Sequence, residues 1–314
     1  MESLFSATFI VTLLAAGVRM AIPLLLPAAG EIFAERAGIL NINLEGQMLM
    51  GAFASFLTGY YTHSLAPALL AGVLAGVLAG LLMALCCVRW HCNHVVVGIT
   101  LNMFALGFTS FWYRVAFGVT TSPPKANVNS GTLPIPGLSR IPALGEILFN
   151  QSILFYVSVL LVALAFFVLR KTQFGLQIRS SGEYPRAAET MGVDVARMRY
   201  LSMVICGALA GMGGSFLSVI SLNRFVDNIT ASRGFIALAI VIFGKWDPWR
   251  VFLASLLFGT TDALQLRLQA VGVDVPYQLL TMLPYLLTIL VMIVTAKRSH
   301  SPAALGEDYE RERL

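Results

Sequence analysis

The amino-acid sequence predicts an all-α fold, a polytopic transmembrane helical bundle of about nine spans (about eight to ten) with a broken or re-entrant second element. Three observations carry that reading. Charged residues make up 12% of the 314-residue chain and hydrophobic ones 57%, whereas a soluble domain is about a quarter charged. Mean hydropathy is +0.79. Apolar runs of the length needed to cross a bilayer core, about 20 helical residues, recur almost from end to end. So little charge cannot cover a soluble globule, which excludes an ordinary cytosolic enzyme, a disordered chain and a nucleic-acid-binding domain. The net charge of +5 and pI near 9.2 instead fit basic residues gathered in cytoplasmic loops.

Spans are expected at 5–29, 42–61, 65–88, 95–117, 150–170, 200–221, 233–244, 249–268 and 277–296. The first opens with Glu2 and lacks a basic leader, so it reads as a span and not a cleaved signal peptide. Arg19 interrupts it, with a stem long enough to snorkel to an interface. Between the first two spans, Arg36, Asn41, Asn43, Glu45 and Gln47 break what would otherwise be a helix pair. Irregular backbone at membrane depth survives only where protein or a water-filled cavity satisfies it. A carboxylate there faces a pathway or a partner. Asn41, Asn43, Glu45 and Gln47 are therefore candidate substrate-pathway residues. The alternative is structural: Glu45 pairs with Arg36 or another basic group as an ion pair at the cytosolic interface, and the asparagines bond the kinked backbone.

In the third span Gly72, Gly76 and Gly80 form a small-residue ridge, and Gly207 with Gly211 form another in the sixth; such ridges let helices approach closely. Cys86, Cys87, His91, Cys92 and His94 have the residue types of a zinc site but no finger spacing, so no metal is expected. No disulfide framework is expected either. The fourth span places Asn102 among apolar residues, with Phe104, Phe108 and Phe111 on one helical face. A planar ring could stack on Phe104 and Phe108 while Asn102 reads its polar edge. The alternative is lipid-facing aromatics, with Trp112 and Tyr113 in an interfacial belt. Asn223, Asn228, Thr230 and Arg233 precede the short seventh span, which fits a re-entrant element, and Asp262, Gln265 and Gln269 form a polar stripe on the eighth.

Orientation follows from Lys and Arg placement. The 170–199 loop holds six basic residues, while the Pro-rich 118–148 loop holds only Lys125 and Arg140. The first is expected on the cytoplasmic side with the C-terminal tail 297–314, and the second outside. That tail reads as a solvated end. Nothing is left over for a soluble domain: residues 1–314 form one transmembrane unit with a cytoplasmic loop at 171–198. The chain has no phosphate-binding GxxxxGK[ST] loop, and no catalytic constellation.

Within the basic loop, Pro185 suits a first helical turn and Glu183 complements that helix N-terminus. Arg186, Ala187, Ala188 and Glu189 continue it until Gly192 stops it. Gly182, Glu183, Pro185, Arg186, Ala187, Ala188, Glu189 and Gly192 thus make a short charged helix whose small alanines let a partner groove approach.

Ala187-Ala188-Glu189 with Gly192 following resembles the coupling helix of ABC importer permeases. ERAGILNINLEGQMLMGAFASF (Glu35 to Phe56), GEYPRAAETMGV (Gly182 to Val193) and GFIALAIVIFGKWDPW (Gly234 to Trp249) extend the resemblance over roughly 15–295. Together they are similar to the sugar and nucleoside branch related to branched-chain amino acid and ribose permeases. The resemblance implies a single permease domain that is not itself an enzyme and carries no cofactor. A cytosolic ABC ATPase would bind ATP and Mg and receive the coupling helix. A second, different but related permease subunit would complete the pathway, and an extracytoplasmic substrate-binding protein would deliver the solute. The implied place is a bacterial inner (cytoplasmic) membrane, multi-pass, with the C-terminus cytoplasmic and no nucleic-acid partner. The NLEGQ segment is closest to the nucleoside type, which implies a small neutral ring-containing solute such as a purine nucleoside. A simple sugar or a riboflavin-type vitamin is the alternative, and an ATPase-independent secondary carrier is the competing class.

Overall fold

A computed structural model describes residues 7–118, 123–128, 131–134, 144–271, 276–295 and 301–309. Helix α1 (Ala7–Arg36) runs for 30 residues through Pro23 and Pro27. It continues past the expected end at residue 29, because Glu31 and Glu35 are fully buried in protein and so do not stop a helix whose polar groups are turned away from lipid. After an irregular turn come α2 (Leu44–Thr62) and α3 (Leu65–Ala84), the latter ending in a π-helical turn, Leu85–Arg89. Helix α4 (His94–Phe117) is capped by the Asn93 side chain, which accepts from the backbone N–H groups of Val95 and Val96 at 3.0 and 3.2 Å.

The described residues of the Pro-rich loop include α5 (Leu144–Leu148) and β1 (Thr132–Pro134), which pairs antiparallel with β2 (Asn150–Ser152) so that Leu133 faces Gln151. Helices α6 (Ile153–Lys171), α7 (Gln173–Glu183) and α8 (Pro185–Thr190) follow. Then come α9 (Val195–Ser215), extended by a π turn at Phe216–Ser221, and α10 (Arg233–Phe243), α11 (Pro248–Val271), α12 (Tyr277–Thr281) and α13 (Leu283–Thr295).

Six helices among the described residues are long and apolar enough to cross a membrane: Phe9–Arg36, Leu65–Arg89, His94–Phe117, Ile153–Lys171, Val195–Ser221 and Pro248–Ala270. They match six of the nine segments expected from sequence. Helix α2 is as long as a span, but its polar residues, Glu45 and Gln47 among them, are spent inside the bundle. Helix α10 has only 11 residues, about 16 Å, roughly half a bilayer core. The last apolar segment is divided at Met282 into α12 and α13.

Helix α9 is the hub, packed against α1, α2 and α3. The two glycine ridges meet there. A Cβ on Gly76 would lie 2.8 Å from the Cα of Gly211, and one on Gly207 3.0 Å from the Cα of Val77. Backbone thus touches backbone, the close approach that small residues permit between membrane helices.

Candidate functional site

The turn between α1 and α2 leaves several peptide groups without helical partners at membrane depth. Gly38, at φ 93°, turns the chain just after α1, and the N–H groups of Gly38 and Ile39 donate back to Glu35 and Ala34 at 3.0 Å each. Side chains from elsewhere take up others. The Leu40 N–H donates to His94 Nδ1 at 3.2 Å. Asn102 bridges the break with both ends of its amide, Nδ2 donating to the Ile42 carbonyl at 2.7 Å and Oδ1 accepting from the Gly46 N–H at 2.6 Å. Asn43 donates to the Ala79 carbonyl on α3 at 3.3 Å.

Beneath this backbone lies a fully buried polar cluster. Asn41 Nδ2 donates to Glu31 Oε2 at 2.9 Å and lies 3.3 Å from Cys206 Sγ. Gln47 Nε2 donates to Asn41 Oδ1 at 3.3 Å, and the Cys206 thiol donates to Glu31 Oε2 at 3.2 Å. One turn along α1, Glu35 accepts from the indole N–H of Trp246. The cluster ties α1, α2, α9 and the segment after α10 into one polar unit inside an apolar bundle. Buried ionisable groups in a membrane mark pathways or obligatory partners.

Glu45 belongs to a different arrangement. Its Oε1 accepts from the Thr230 hydroxyl and from the Ser232 N–H at 2.9 Å, and its Oε2 accepts from the Gly234 N–H at 2.6 Å. The carboxylate therefore caps the N-terminus of the short helix α10, where the helix dipole favours negative charge. Gly234 allows the approach, since a Cβ there would lie 2.5 Å from the Glu45 Cα. No Glu45–Arg36 pair forms: Arg36 lies 3.7 Å from Glu183 and donates to the Trp246 carbonyl at 3.4 Å.

Of the pathway residues expected from sequence, Asn41 and Gln47 share the buried cluster, Asn43 and Asn102 hold the break, and Glu45 anchors α10. Phe104 and Phe108 have ring centroids 5.5 Å apart, but Phe104 is 53% exposed on the outer face of α4, away from the cluster. Trp112 shares that exposure, whereas Tyr113 is buried against Phe56 and Phe225. Sequence reasoning passed over Glu31, Glu35, Cys206 and Trp246 as site residues, and named Thr230 only as part of a re-entrant element. The available signal was the four-residue spacing of Glu31 and Glu35, which puts two carboxylates on one face of an apolar helix.

Asn102→Ala should leave the Ile42 carbonyl and the Gly46 N–H unpartnered, at a cost of about 3 kcal/mol. Thermal unfolding of the detergent-solubilised chain should fall by about 6 °C. An unshifted transition with impaired uptake would instead make Asn102 a solute contact.

On the side where α1 and α6 end, Thr172 starts α7 by accepting from the Gly175 N–H at 3.1 Å. Tyr184 separates α7 from α8, Pro185 occupies the first turn of α8, and Gly192 ends the segment at φ 85°. Gly182 packs directly on the break, as a Cβ there would lie 2.9 Å from the Arg36 carbonyl carbon and 3.0 Å from the Gly38 nitrogen. Ala188 is buried, and Glu189 accepts from the Tyr309 hydroxyl. The outward face of α8 and its flanks is made of Arg186, Ala187 and Thr190, with Tyr184 and Met191 72% and 84% exposed.

The tail is not a solvated end. The Ala304 N–H donates to the Gly182 carbonyl at 2.9 Å, and the Gly306 N–H to the Gly38 carbonyl at 3.0 Å. Buried Arg199 joins the same junction, donating to the carbonyls of Ala37 at 3.3 Å and Glu307 at 3.2 Å. Pro302 and Ala304 are buried, so the tail packs by small apolar residues that its charged neighbours hide in the sequence.

A family model described as the permease component of branched-chain amino acid transport systems matches residues 13–296. The chain belongs to that permease family. The permease is 40% identical to the guanosine ABC transporter permease protein NupQ of Bacillus subtilis, over 92% of this chain and 93% of that one. It is 36% identical to the nucleoside ABC transporter permease protein NupC of Lactococcus lactis, over 91% and 93%. It is 35% identical to the putative glucose ABC transporter permease protein TsgC13 of Haloferax volcanii, over 97% and 99%. The two bacteria each hold a second, more distant relative of the permease, NupP and NupB, 28% and 25% identical to it over 77% and 75% of its length. No solved structure matches the permease significantly.

Proposed function

We propose that the permease is the membrane subunit of an ATP-driven importer and carries a small neutral ring-containing solute, a purine nucleoside. The observation that carries the mechanism is the seating of α8. Its outward face is exposed, while the adjoining Gly182 rests on the break that holds the buried polar cluster. A cytosolic ATPase that grips Tyr184, Ala187 and Met191 would move α8, and Gly182 would transmit the displacement to the backbone at 37–43. ATP and Mg would be bound by that ATPase and not by this chain. The basic loop and tail then face the cytoplasm of a bacterial cell, and the Pro-rich loop faces an external substrate-binding protein.

A second permease subunit, different from this one but related to it, completes the pathway; the paired relatives in two bacteria support this. The nucleoside reading draws on the printed names of two relatives. The relative named for glucose favours a simple sugar as the second reading.

The solute is tested by ATPase stimulation in the reconstituted complex with guanosine, ribose, glucose and riboflavin. Guanosine should stimulate about fivefold or more, and a response to glucose alone would move the permease to the sugar reading. The coupling role is tested by Ala187→Trp. Ala187 is exposed in this chain, so the variant should fold normally, and uptake should drop at least about tenfold through lost ATPase docking. Wild-type uptake would remove α8 from that role.

A further inference from the structure

Where α1 and α6 end and α11 begins, a cavity of about 540 Å3 is lined by Arg36, Arg170, Lys171, Arg179, Trp246 and Asp247. Its charge is unbalanced. Arg170 pairs with Asp247 and lies over the Phe166 ring at 4.9 Å, while Arg36 meets Glu183 at 3.7 Å. Asp247 is already engaged as the cap of α11, accepting from the Trp249 N–H at 3.0 Å. Lys171 and Arg179 have no acidic partner among the described residues, where Arg179 donates to the Gly175 carbonyl at 3.4 Å. Four cations facing two carboxylates leave two positive charges uncompensated in one concavity.

Phe166 also opens a second concavity. An apolar groove of about 250 Å3 runs along the membrane-facing surface between α6 and α11, lined by Ala163, Phe166, Trp249 and Phe252. Trp249 and Phe252 stack along it with centroids 5.5 Å apart. A cationic head cavity that shares Phe166 with an apolar groove, where two spans end and a third begins, matches one class of molecule, with an anionic phosphate at one end and a hydrocarbon chain at the other.

We propose that this composite site binds an anionic phospholipid, its phosphate held by Lys171 and Arg179 and an acyl chain lying between α6 and α11. Basic residues at such depth attract anionic lipids, at about fivefold in affinity for each Lys or Arg. The positive-inside bias accounts for basic residues somewhere in this loop, but not for a shared cavity or for the groove on the other side of Phe166. Bound lipid would brace the junction of α6, α7 and α11 beside Arg36, the residue that ends α1. Assignment to the cytoplasmic leaflet rests on the orientation proposed above; the measurement below does not depend on it.

The test is native mass spectrometry of the full chain, purified in detergent and offered phosphatidylglycerol and phosphatidylcholine with identical acyl chains in equal amounts. The wild-type chain should retain phosphatidylglycerol preferentially. Lys171→Ala with Arg179→Ala should reduce that preference about thirtyfold. Ala163→Trp fills the groove without touching a charge and should reduce retention of both lipids. Equal retention of the two lipids by the wild-type chain overturns the proposal whether or not the variants fold, and so does an unchanged preference in the double variant. Displacement of phosphatidylglycerol by an equal concentration of inorganic phosphate would assign the cavity to free phosphate and also overturn it.

Discussion

Glu45→Ala is expected to destabilise the permease by about 4 kcal/mol and to sharply reduce the folded yield from the membrane. The carboxylate receives three donors, the Thr230 hydroxyl and the N–H groups of Ser232 and Gly234. Hydrogen bonds to a charged group contribute about 1.5–3 kcal/mol each. Relief of the desolvation of a buried carboxylate offsets part of their loss. Helix α10 is too short to cross the membrane and so needs its N-terminal N–H groups satisfied inside it. Glu45→Gln should be milder, because its carbonyl still accepts while its NH2 group faces donors. Fluorescence-detected gel filtration and thermal unfolding of the three forms give the ranking wild type, Glu45→Gln, Glu45→Ala. Wild-type stability with lost uptake in Glu45→Ala would return Glu45 to the solute pathway.

The second large effect is expected at Gly211. This glycine is pressed from two sides: a Cβ on Gly51 of α2 would lie 2.5 Å from its Cα, and one on Gly76 of α3 2.8 Å from it. Gly211→Leu would force apart helices that meet through backbone, which has no rotamer to yield. The expected cost is at the upper end of overpacking, about 3 kcal/mol or more. Gly107→Leu is the control, since a Cβ at Gly107 meets nothing within 4 Å on α4, and it should be nearly neutral. Equal folded yields for the two variants would show that the ridges do not set helix approach.

Much of the segment around α8 was legible because its signals are local. Pro185 and Gly192 act on their own backbone, and the short helix between them lies where that punctuation puts it. The break after α1 was legible for a similar reason, since Asn41, Asn43 and Gln47 are too polar to face lipid wherever they end up. Partners were not legible. Glu45 was open between a pathway and an ion pair with Arg36 or another basic group, yet it takes a hydroxyl and two N–H groups from residues 230–234. Phe104 and Phe108 share a face as their spacing required, but spacing does not say whether that face turns in or out. The tail read as solvated because charge dominates its composition, while small Pro302 and Ala304 make its buried contacts.

Composition and periodicity settle that this chain is a helical membrane protein, and its ordered motifs place it in the permease family. Both rest on terms that sum locally along the chain: transfer of apolar residues into lipid, helix capping and backbone punctuation. Only the tertiary structure decides which polar residue answers which. Glu31 finds Cys206, Glu45 finds α10, and the tail finds Gly38 and Gly182. In a medium without water every buried donor must take a protein partner, and that partner can lie anywhere in the sequence. The charge shortage guarantees that such partnerships exist, and helix packing chooses them.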